Sequence, residues 1–377
     1  MAVEVVFPGV FVEEPPAAPR PIEGVSTSTT AFIGTAERGP TEPYLIRSWT
    51  EFEREFGGLS QTSTLSLAVH QFFENGGQRA VIVRAAGDGS AATQAALRAL
   101  DTTEFNLLCI PPYTLSSDLE VADWEAAARY CRERRAFLIV DAPAAWSLED
   151  AAEHASSFGF SARENAAIYF PRVRVADPLE AGKPVSCAPC GCVAGIISRT
   201  DQARGVWKAP AGIEAVVKGA AGLSAVADEH ANERLAAAGI NCLRDFPGTG
   251  IVVWGARTLA GANQDSPEWR YVPVRRLALY LQESLVRGTH WAVFESNNEG
   301  TWKQLRRQVA DFMTGLWRQG ALLGGRAQDA FYIRCDASTT TQGDLDNGRL
   351  NIEIGFAPLR PAEFVIFTIQ QIMQRPE

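Results

Sequence analysis

The chain has 377 residues, of which 46% are hydrophobic and 21% are charged, and its formal net charge at pH 7 is −9. This length allows two compact units with substantial cores, and the composition is ordinary for a globular protein. The acidic balance argues against nucleic-acid binding, the longest apolar runs are too short to cross a bilayer, and the N-terminus lacks a signal-peptide pattern.

Each end of the chain carries a short apolar strand that a proline-rich segment separates from the rest. The N-terminal strand precedes Pro15–Pro21 and includes Val3, Val5, Val10, Phe11 and Val12. The C-terminal strand follows Pro361 and includes Phe364, Val365, Ile366, Phe367 and Ile369. A strand with apolar residues on both faces has to complete a sheet, in its own subunit or in a neighbour. The residues alone leave both outcomes open, and pairing within the subunit is the more common one.

Continuous apolar strands alternate with amphipathic helices from residue 80 to residue 170. Before this stretch, the sequence predicts strands at Thr29–Gly34 and Tyr44–Ile46, a capping box at Thr50–Glu53 and a helix over residues 65–73. Within it, the predicted strands are Ala80–Arg84, Phe105–Ile110, Ala136–Val140 and Ala166–Phe170. The intervening helices are predicted at Ala91–Leu100, Val121–Arg134 and Leu148–Phe158. This alternation predicts an α/β fold with a doubly wound, mainly parallel sheet and right-handed crossovers.

The following stretch leads to a predicted joint between two units. Pro171–Pro189 is rich in proline, glycine and charge, and we expect a surface excursion there. A buried helix is predicted at Cys192–Ser198, a second helix at Glu229–Ala238, and strands at Leu223–Ala227, Asn241–Arg244 and Ile251–Trp254. The turn-forming residues Gly261–Pro267 form the expected joint, and the amphipathic helix Val274–Val286 follows it.

The C-terminal third predicts a smaller α+β unit. A strand is expected at His290–Phe294, and then a long helix that Asn297 or Asn298 caps and Gly324–Gly325 ends. Two further strands are expected at Ala330–Arg334 and Leu350–Phe356. The polar face of the long helix is basic, and its candidate binding residues are Lys303, Arg306, Arg307 and Arg318. A solvated helix face is the alternative interpretation of that pattern.

Neither a catalytic site nor a cofactor site is predicted. Asp141 ends a buried strand and could form a triad with His154 and a serine, but a Gly-x-Ser-x-Gly turn is missing from the sequence. We therefore expect Asp141 to be a capping or turn residue and the protein not to be an enzyme. The sequence also contains neither a phosphate loop nor a dinucleotide fingerprint.

Three of the seven cysteines are close together, as Cys187, Cys190 and Cys192. They could supply three zinc ligands, but a structural zinc site needs four, and neither a second Cys-x-x-Cys nor a His pair follows. We expect these cysteines to be small packing residues. An odd cysteine count without a signal peptide predicts reduced thiols and synthesis in the cytoplasm.

Many local segments, in order along nearly the whole chain, make the sequence resemble a contractile phage tail sheath protein. These segments are Phe7–Glu14, Pro21–Ser28, Ala31–Gly34, Glu37–Pro40, Arg199–Asp201, Arg204–Pro210, Val253–Leu259, Trp269–Val272 and Pro361–Phe364. The short length is most similar to the sheaths of phage-tail-like extracellular contractile injection systems. The resemblance implies an N-terminal arm (residues 1–22), a subtilisin-like α/β domain (23–262), a C-terminal sheath domain facing the tube (263–360) and a C-terminal arm (361–377).

The same resemblance implies a function and a set of partners. The arms would be donated to neighbouring subunits in stacked hexameric rings, and the basic helix face would contact an inner tube protein. Baseplate and tail terminator or cap proteins would be further partners, without direct membrane insertion. The particle would assemble in the cytoplasm, and release from the cell on lysis is a further expectation. An α/β hydrolase-like enzyme and a non-contractile capsid or tube subunit are the alternatives.

Overall fold

The computed structural model describes residues 21–149, 151–157, 160–177, 179, 182–262 and 267–363. Two compact units are present in this part of the chain. The larger unit, here the α/β unit, contains residues 24–283 and 358–363, and the smaller, here the C-terminal unit, contains residues 21–23 and 284–357. The division falls inside one helix, after Glu283, and not between residues 262 and 263. The four segments expected from the family resemblance stay a prediction.

A large sheet forms the centre of the α/β unit. In the described part of the chain its strands are β1 Thr30–Gly34, β2 Tyr44–Ile46, β3 Ala80–Arg84, β4 Leu107–Cys109, β5 Phe137–Asp141, β6 Ala166–Phe170, β10 Ile240–Phe246 and β11 Gly250–Val253. Their order is β11-β10-β6-β5-β4-β1-β3-β2, and only the two edge strands β2 and β11 run antiparallel to their neighbours. The predicted α/β fold with a mainly parallel sheet is confirmed.

Successive residues of each strand enter two different cores, because side chains alternate across a pleated strand. Phe32, Cys109 and Ile139 lie in register on one face, and Ile33 and Val140 belong to the core on the other. Helices cover both faces, which is why these strands are apolar throughout. The helices of this unit are α1 Trp49–Phe56, α2 Thr64–Glu74, α3 Ser90–Ala99, α4 Val121–Glu133, α5 Ala151–Ser157, α6 Cys190–Arg204, α7 Glu229–Ala237 and the first part of α8 Val272–Gly288.

Helix α6 is the buried helix expected from the sequence, and it packs closely on α2. A Cβ atom at Gly191 would lie 2.1 Å from the carbonyl oxygen of Ala68, and one at Gly195 would lie 2.5 Å from that of Phe72. These two glycines, one turn apart, therefore allow the helix backbones to approach closely. The contact places the N-terminus of α6 at the carboxyl end of β5.

Three predictions about local structure in the α/β unit are wrong. The strand expected at Leu223–Ala227 is instead Ala220–Leu223, and residues 224–227 are not in a strand. Within the expected surface excursion at residues 171–189, β7 Val173–Asp177 and β8 Lys183–Cys187 form an antiparallel sheet with β9 Ala220–Leu223. The inward side chains of Val173 and Val175 are buried, although the prolines and charged residues around them conceal the period in the sequence. Helix α1 is capped not by Thr50 but by Ser48, whose hydroxyl accepts the N–H of Glu51.

The C-terminal unit consists of the long helix α9 Glu299–Arg318, the short helices α10 Ala327–Ala330 and α11 Gln342–Asp346, and the strands β12 Phe331–Arg334 and β13 Glu353–Phe356. Asn298 caps α9 as predicted, by accepting the N–H groups of Gly300 and Thr301. On the apolar face of α9, Trp302 and Leu305 form a buried cluster with Cys335, which follows β12. None of the helices in the described ranges is long and apolar enough to cross a membrane.

Several predictions about this unit differ from the structure. The strand predicted at Leu350–Phe356 is shorter, because β13 begins at Glu353, and β12 begins at Phe331 and not at Ala330. His290–Phe294 is not a strand, because His290–Ala292 forms a 3-10 turn and Phe294, at φ +73°, is fully exposed. The apolar run indicated burial, but only Trp291 and Ala292 pack against the core of this unit, while Val293 and Phe294 are exposed. Helix α9 ends at Arg318, before Gly320 at φ +78°, and not at Gly324–Gly325.

Candidate assembly surfaces

The predicted arms are outside the described residues. This applies to Val3, Val5, Val10, Phe11 and Val12 at the N-terminal end and to Phe364, Val365, Ile366, Phe367 and Ile369 at the C-terminal end. Their part in strand exchange therefore stays a prediction. The described structure does contain a surface that could receive a strand, and it also shows where the C-terminal arm begins.

The small sheet of the C-terminal unit is a candidate receiving surface. Among the described residues, β12 and β13 pair only with each other, from Phe331 opposite Phe356 to Arg334 opposite Glu353. A two-stranded sheet is of marginal stability by itself, and an unpaired edge carries free N–H and C=O groups. The geometry can therefore accept further strands.

Three of the four predicted basic residues share one exposed face of α9. Lys303 and Arg307 are one turn apart, Arg318 lies further along, and all three are exposed and form no ion pair with another described residue. Asp311 is the acidic residue within this row. We call Lys303, Arg307 and Arg318 the basic row. Residues spaced by three or four positions are neighbours on a helix, so their charges act together.

Arg306 has a different place from the other three. Its guanidinium donates to Oε1 of Glu299 at 2.6 Å and also to the carbonyl oxygen of Cys335. The carboxylate of Glu299 raises the pKa of Arg306, so this charge is already compensated inside the unit. The sequence spacing placed Arg306 next to Arg307, but one residue step on a helix turns a side chain by about 100°.

Asp141 is a buried capping residue, as predicted. Its Oδ1 accepts the N–H of Cys190, the first residue of α6, at 2.8 Å, and its Oδ2 has no hydrogen-bond partner among the described residues. Burial raises the pKa of Asp141 to about 7, although Arg172 acts in the opposite direction. Arg172 is itself buried and bonded to Asp118. The free helix N–H groups and the carboxylate oxygen satisfy each other here.

The residues of the hypothetical triad have structural roles. His154, on α5, is exposed, and its ring stacks on Trp146 at 5.7 Å between centroids. Asp141 is bonded to backbone, which is the contact of a cap and not of a group that orients a base.

The cysteine cluster packs in the core. Cys187, Cys190 and Cys192 are buried, and the Cys192 thiol donates to the carbonyl oxygen of Pro189 at 3.0 Å. Burial raises the pKa of Cys187 to about 12 and those of Cys190 and Cys192 well above the ordinary value. Both nucleophilic attack and metal binding need the thiolate, which this environment disfavours. Among the described residues, no group of three or more His, Cys, Asp or Glu could hold a metal ion.

An ion pair at the start of the C-terminal arm was not predicted. Arg257 donates from Nε to Oε1 of Glu363 at 2.8 Å and from Nη2 to Oε2 at 2.6 Å, and the Tyr271 hydroxyl donates to Oε2 at 3.1 Å. All three residues lie in segments that carried the family resemblance. The sequence did not indicate that these segments meet, because 106 positions separate Arg257 from Glu363.

Comparisons with known proteins agree over most of the chain. The family model of the phage tail sheath protein central domain matches residues 86–259, and that of the phage tail sheath C-terminal domain matches residues 264–372. The tail sheath protein of Vibrio phage KVP40 is 25% identical over 176 residues, which is 46% of this chain and 25% of the phage protein. The matched stretch is thus about a quarter of the length of that relative.

Solved sheath structures are similar over the full length. The helical sheath of the anti-feeding prophage in its contracted state is 30% identical, with a TM-score of 0.80 and coverage of 98% of this chain and 100% of that chain. The PVC sheath complex of an extracellular contractile injection system, also contracted, is 27% identical, with a TM-score of 0.80 and coverage of 98% and 99%.

Proposed function

The chain belongs to the contractile phage tail sheath family, and we propose that it is the structural subunit of a contractile sheath. In this proposal the subunits polymerise as stacked hexameric rings around an inner tube, and contraction drives the tube through a target envelope. The observation that carries the proposal is the likeness, over nearly the whole chain, to two sheaths solved in the contracted state. Baseplate and terminator proteins would close the two ends of the particle, which would assemble in the cytoplasm.

Strand exchange would hold the subunits together. The N-terminal and C-terminal arms of neighbours would add to the edges of the β12–β13 sheet, whose strands have four residues each. Each added backbone hydrogen bond contributes about 0.5–1.5 kcal/mol net, and burial of the arm's apolar side chains adds to this. The proline-rich segments next to the arms would be stiff tethers. Subunits could then move as rigid bodies during contraction while their shared strands stay paired.

The basic row of α9 would contact the inner tube. Pairs between exposed side chains contribute about 0–1 kcal/mol each, so a single subunit would hold the tube weakly. Many subunits acting together would keep the sheath in register on the tube and still allow the contacts to break on contraction. The absence of a partner for Lys303, Arg307 and Arg318 among the described residues supports this assignment.

Electron microscopy of the chain co-expressed with its inner tube protein tests the proposal. We expect sheaths of two lengths, and the shorter, contracted sheath should leave part of the tube exposed. Deletion of residues 1–14 or of residues 364–377 should leave soluble subunits, because the exchanged strands are missing. Sheaths of normal length from either deletion would contradict strand exchange. Sheaths of a single fixed length would indicate a static lattice instead.

A further inference from the structure

The C-terminal arm begins at an ion pair that is partly shielded from water. Side chains of Arg257 and Glu363 are 14% and 24% exposed. The two hydrogen bonds form a bidentate contact between the guanidinium and the carboxylate, the strongest geometry for such a pair. Burial alone would raise the pKa of Glu363, but the bonds from Arg257 outweigh it and hold the pKa below its usual value. The pair therefore remains charged at neutral pH.

Arg257 is held firmly by the central sheet. Its Nη1 donates to the carbonyl oxygen of Ala236 at 2.6 Å, and its backbone N–H donates to Oδ1 of Asn241 at 2.7 Å. Asn241 is fully buried on β10, and its Nδ2 donates to the carbonyl oxygens of Arg257 at 2.7 Å and of Ile168 on β6 at 3.1 Å. One buried amide thus connects the backbone of Arg257 to two strands of the sheet.

The chain leaves the C-terminal unit shortly before it reaches this pair. The N–H of Ala357 donates to the carbonyl oxygen of Ala330 at 2.8 Å, and the N–H of Leu323 donates to that of Ala357 at 2.9 Å. Residues 358–363 then belong to the α/β unit. Glu363 is the last described residue before the predicted strand of the arm at Phe364. The arm therefore starts from the α/β unit and not from β13.

We propose that the Arg257–Glu363 pair anchors the root of the C-terminal arm to the α/β unit, so that a neighbouring subunit holding the arm pulls on the central sheet. Without the anchor, residues 358–363 would become free tether, which adds up to about 20 Å of extended chain. A tether with that slack would transmit a subunit's rotation poorly. The transmission of force through the arm during contraction rests on the proposed function, whereas the attachment of the arm is a property of the single chain.

Hydrogen exchange of the full-length chain, purified without tube protein, tests the attachment. Glu363→Gln removes the charge, and Arg257→Lys keeps the charge but removes the bidentate contact. We expect each variant to raise the exchange rate of the amides of residues 359, 360, 362 and 363, while the strands of the central sheet exchange as in the unaltered chain. Tyr271→Phe, which removes one hydrogen bond, should have a smaller effect.

The matched control is Glu229→Gln. It removes an exposed carboxylate, 84% accessible, from Arg244 on β10, where the N–O distance is 3.1 Å. This change should leave exchange at residues 359–363 unaltered. Unchanged exchange in both Glu363→Gln and Arg257→Lys would overturn the anchor.

Sheath formation with the inner tube protein tests whether the anchored arm transmits force during contraction. We expect Glu363→Gln and Arg257→Lys to assemble extended sheaths that contract incompletely, and Glu229→Gln to contract fully. Faster exchange together with full contraction would overturn the load path and leave the proposed function intact. If the unaltered chain forms no sheath, the proposed function and the load path fail together, and the exchange result still decides whether the anchor exists.

Discussion

Arg276 on α8 and Asp201 on α6 form a buried bidentate ion pair. Nη1 and Nη2 donate to Oδ1 and Oδ2 at 2.9 and 2.6 Å, and each side chain is 3% exposed. Arg276 also donates to the carbonyl oxygen of Thr27, whose hydroxyl donates to Asp201. The carboxylate thus joins α6, α8 and the chain before β1 within the α/β unit.

Asp201→Asn should strongly destabilise the α/β unit. The substitution leaves the guanidinium of Arg276 buried without its counter-charge, which costs about 3–5 kcal/mol. Chemical denaturation of the purified chain measures this loss. Glu214→Gln, which removes the partner of Arg204 from an exposed pair, is the matched control and should change little. Equal stability of the two variants would mean that the buried pair is not required.

Asp141 should make the stability of the α/β unit fall as the pH rises. Its pKa in the folded protein is about 7, against an ordinary value of 3.8, so the folded chain keeps a proton that the unfolded chain releases between these values. In this window the free energy of unfolding falls by up to about 1.4 kcal/mol per pH unit, and below the window the group has no effect.

Asp141→Asn should remove this part of the pH dependence. The amide oxygen can still accept the N–H of Cys190, and no charge is buried above pH 7. The unfolding free energy of the variant minus that of the unaltered chain should therefore rise from pH 4 to pH 7. The control is Asp228→Asn, at the exposed N-cap of α7, which should leave the slope of unfolding free energy against pH unchanged. The same slope in Asp141→Asn would contradict a buried titrating carboxyl.

Gly195→Ala should destabilise the α/β unit by forcing α2 and α6 apart. The new Cβ would lie 2.5 Å from the carbonyl oxygen of Phe72 and 2.7 Å from Cβ of Asn75, and such overpacking costs about 1–3 kcal/mol. Gly315→Ala on α9 is the control, because nothing lies within 4 Å of its Cβ position. That substitution should stabilise its helix by about 1 kcal/mol. Thermal unfolding of both variants would give shifts of opposite sign.

Reversal of the basic row should release the inner tube. The triple change Lys303→Glu, Arg307→Glu and Arg318→Glu replaces attraction by repulsion in every subunit, so co-sedimentation of sheath with tube should be lost at physiological salt. Asp311→Asn removes the acid in the same row and should strengthen binding. Arg98→Glu changes an exposed arginine on α3 and should have no effect. Undiminished tube binding by the triple variant would contradict the assignment of this face.

Periodicity predicted the central sheet well, because each strand's pattern is local. β2, β3 and β6 begin and end at the predicted residues, and the buried helix α6 was expected around Cys192–Ser198. The pattern failed at residues 171–189, where polar residues and prolines concealed β7 and β8. It failed again at His290–Phe294, where apolar residues are exposed. Burial depends on what packs against a segment, and a local pattern does not contain that information.

Local sequence by itself determined that this chain alternates strands and helices, carries a basic row on α9, and ends in apolar segments beyond prolines. Only the tertiary structure decided that Arg306 donates to the carbonyl oxygen of Cys335, that the buried Asp141 accepts the first N–H of α6, and that Arg257 meets Glu363. The reason is physical: helix and strand periods act over a few residues, whereas an ion pair or a cap requires two distant segments to reach the same place in the fold.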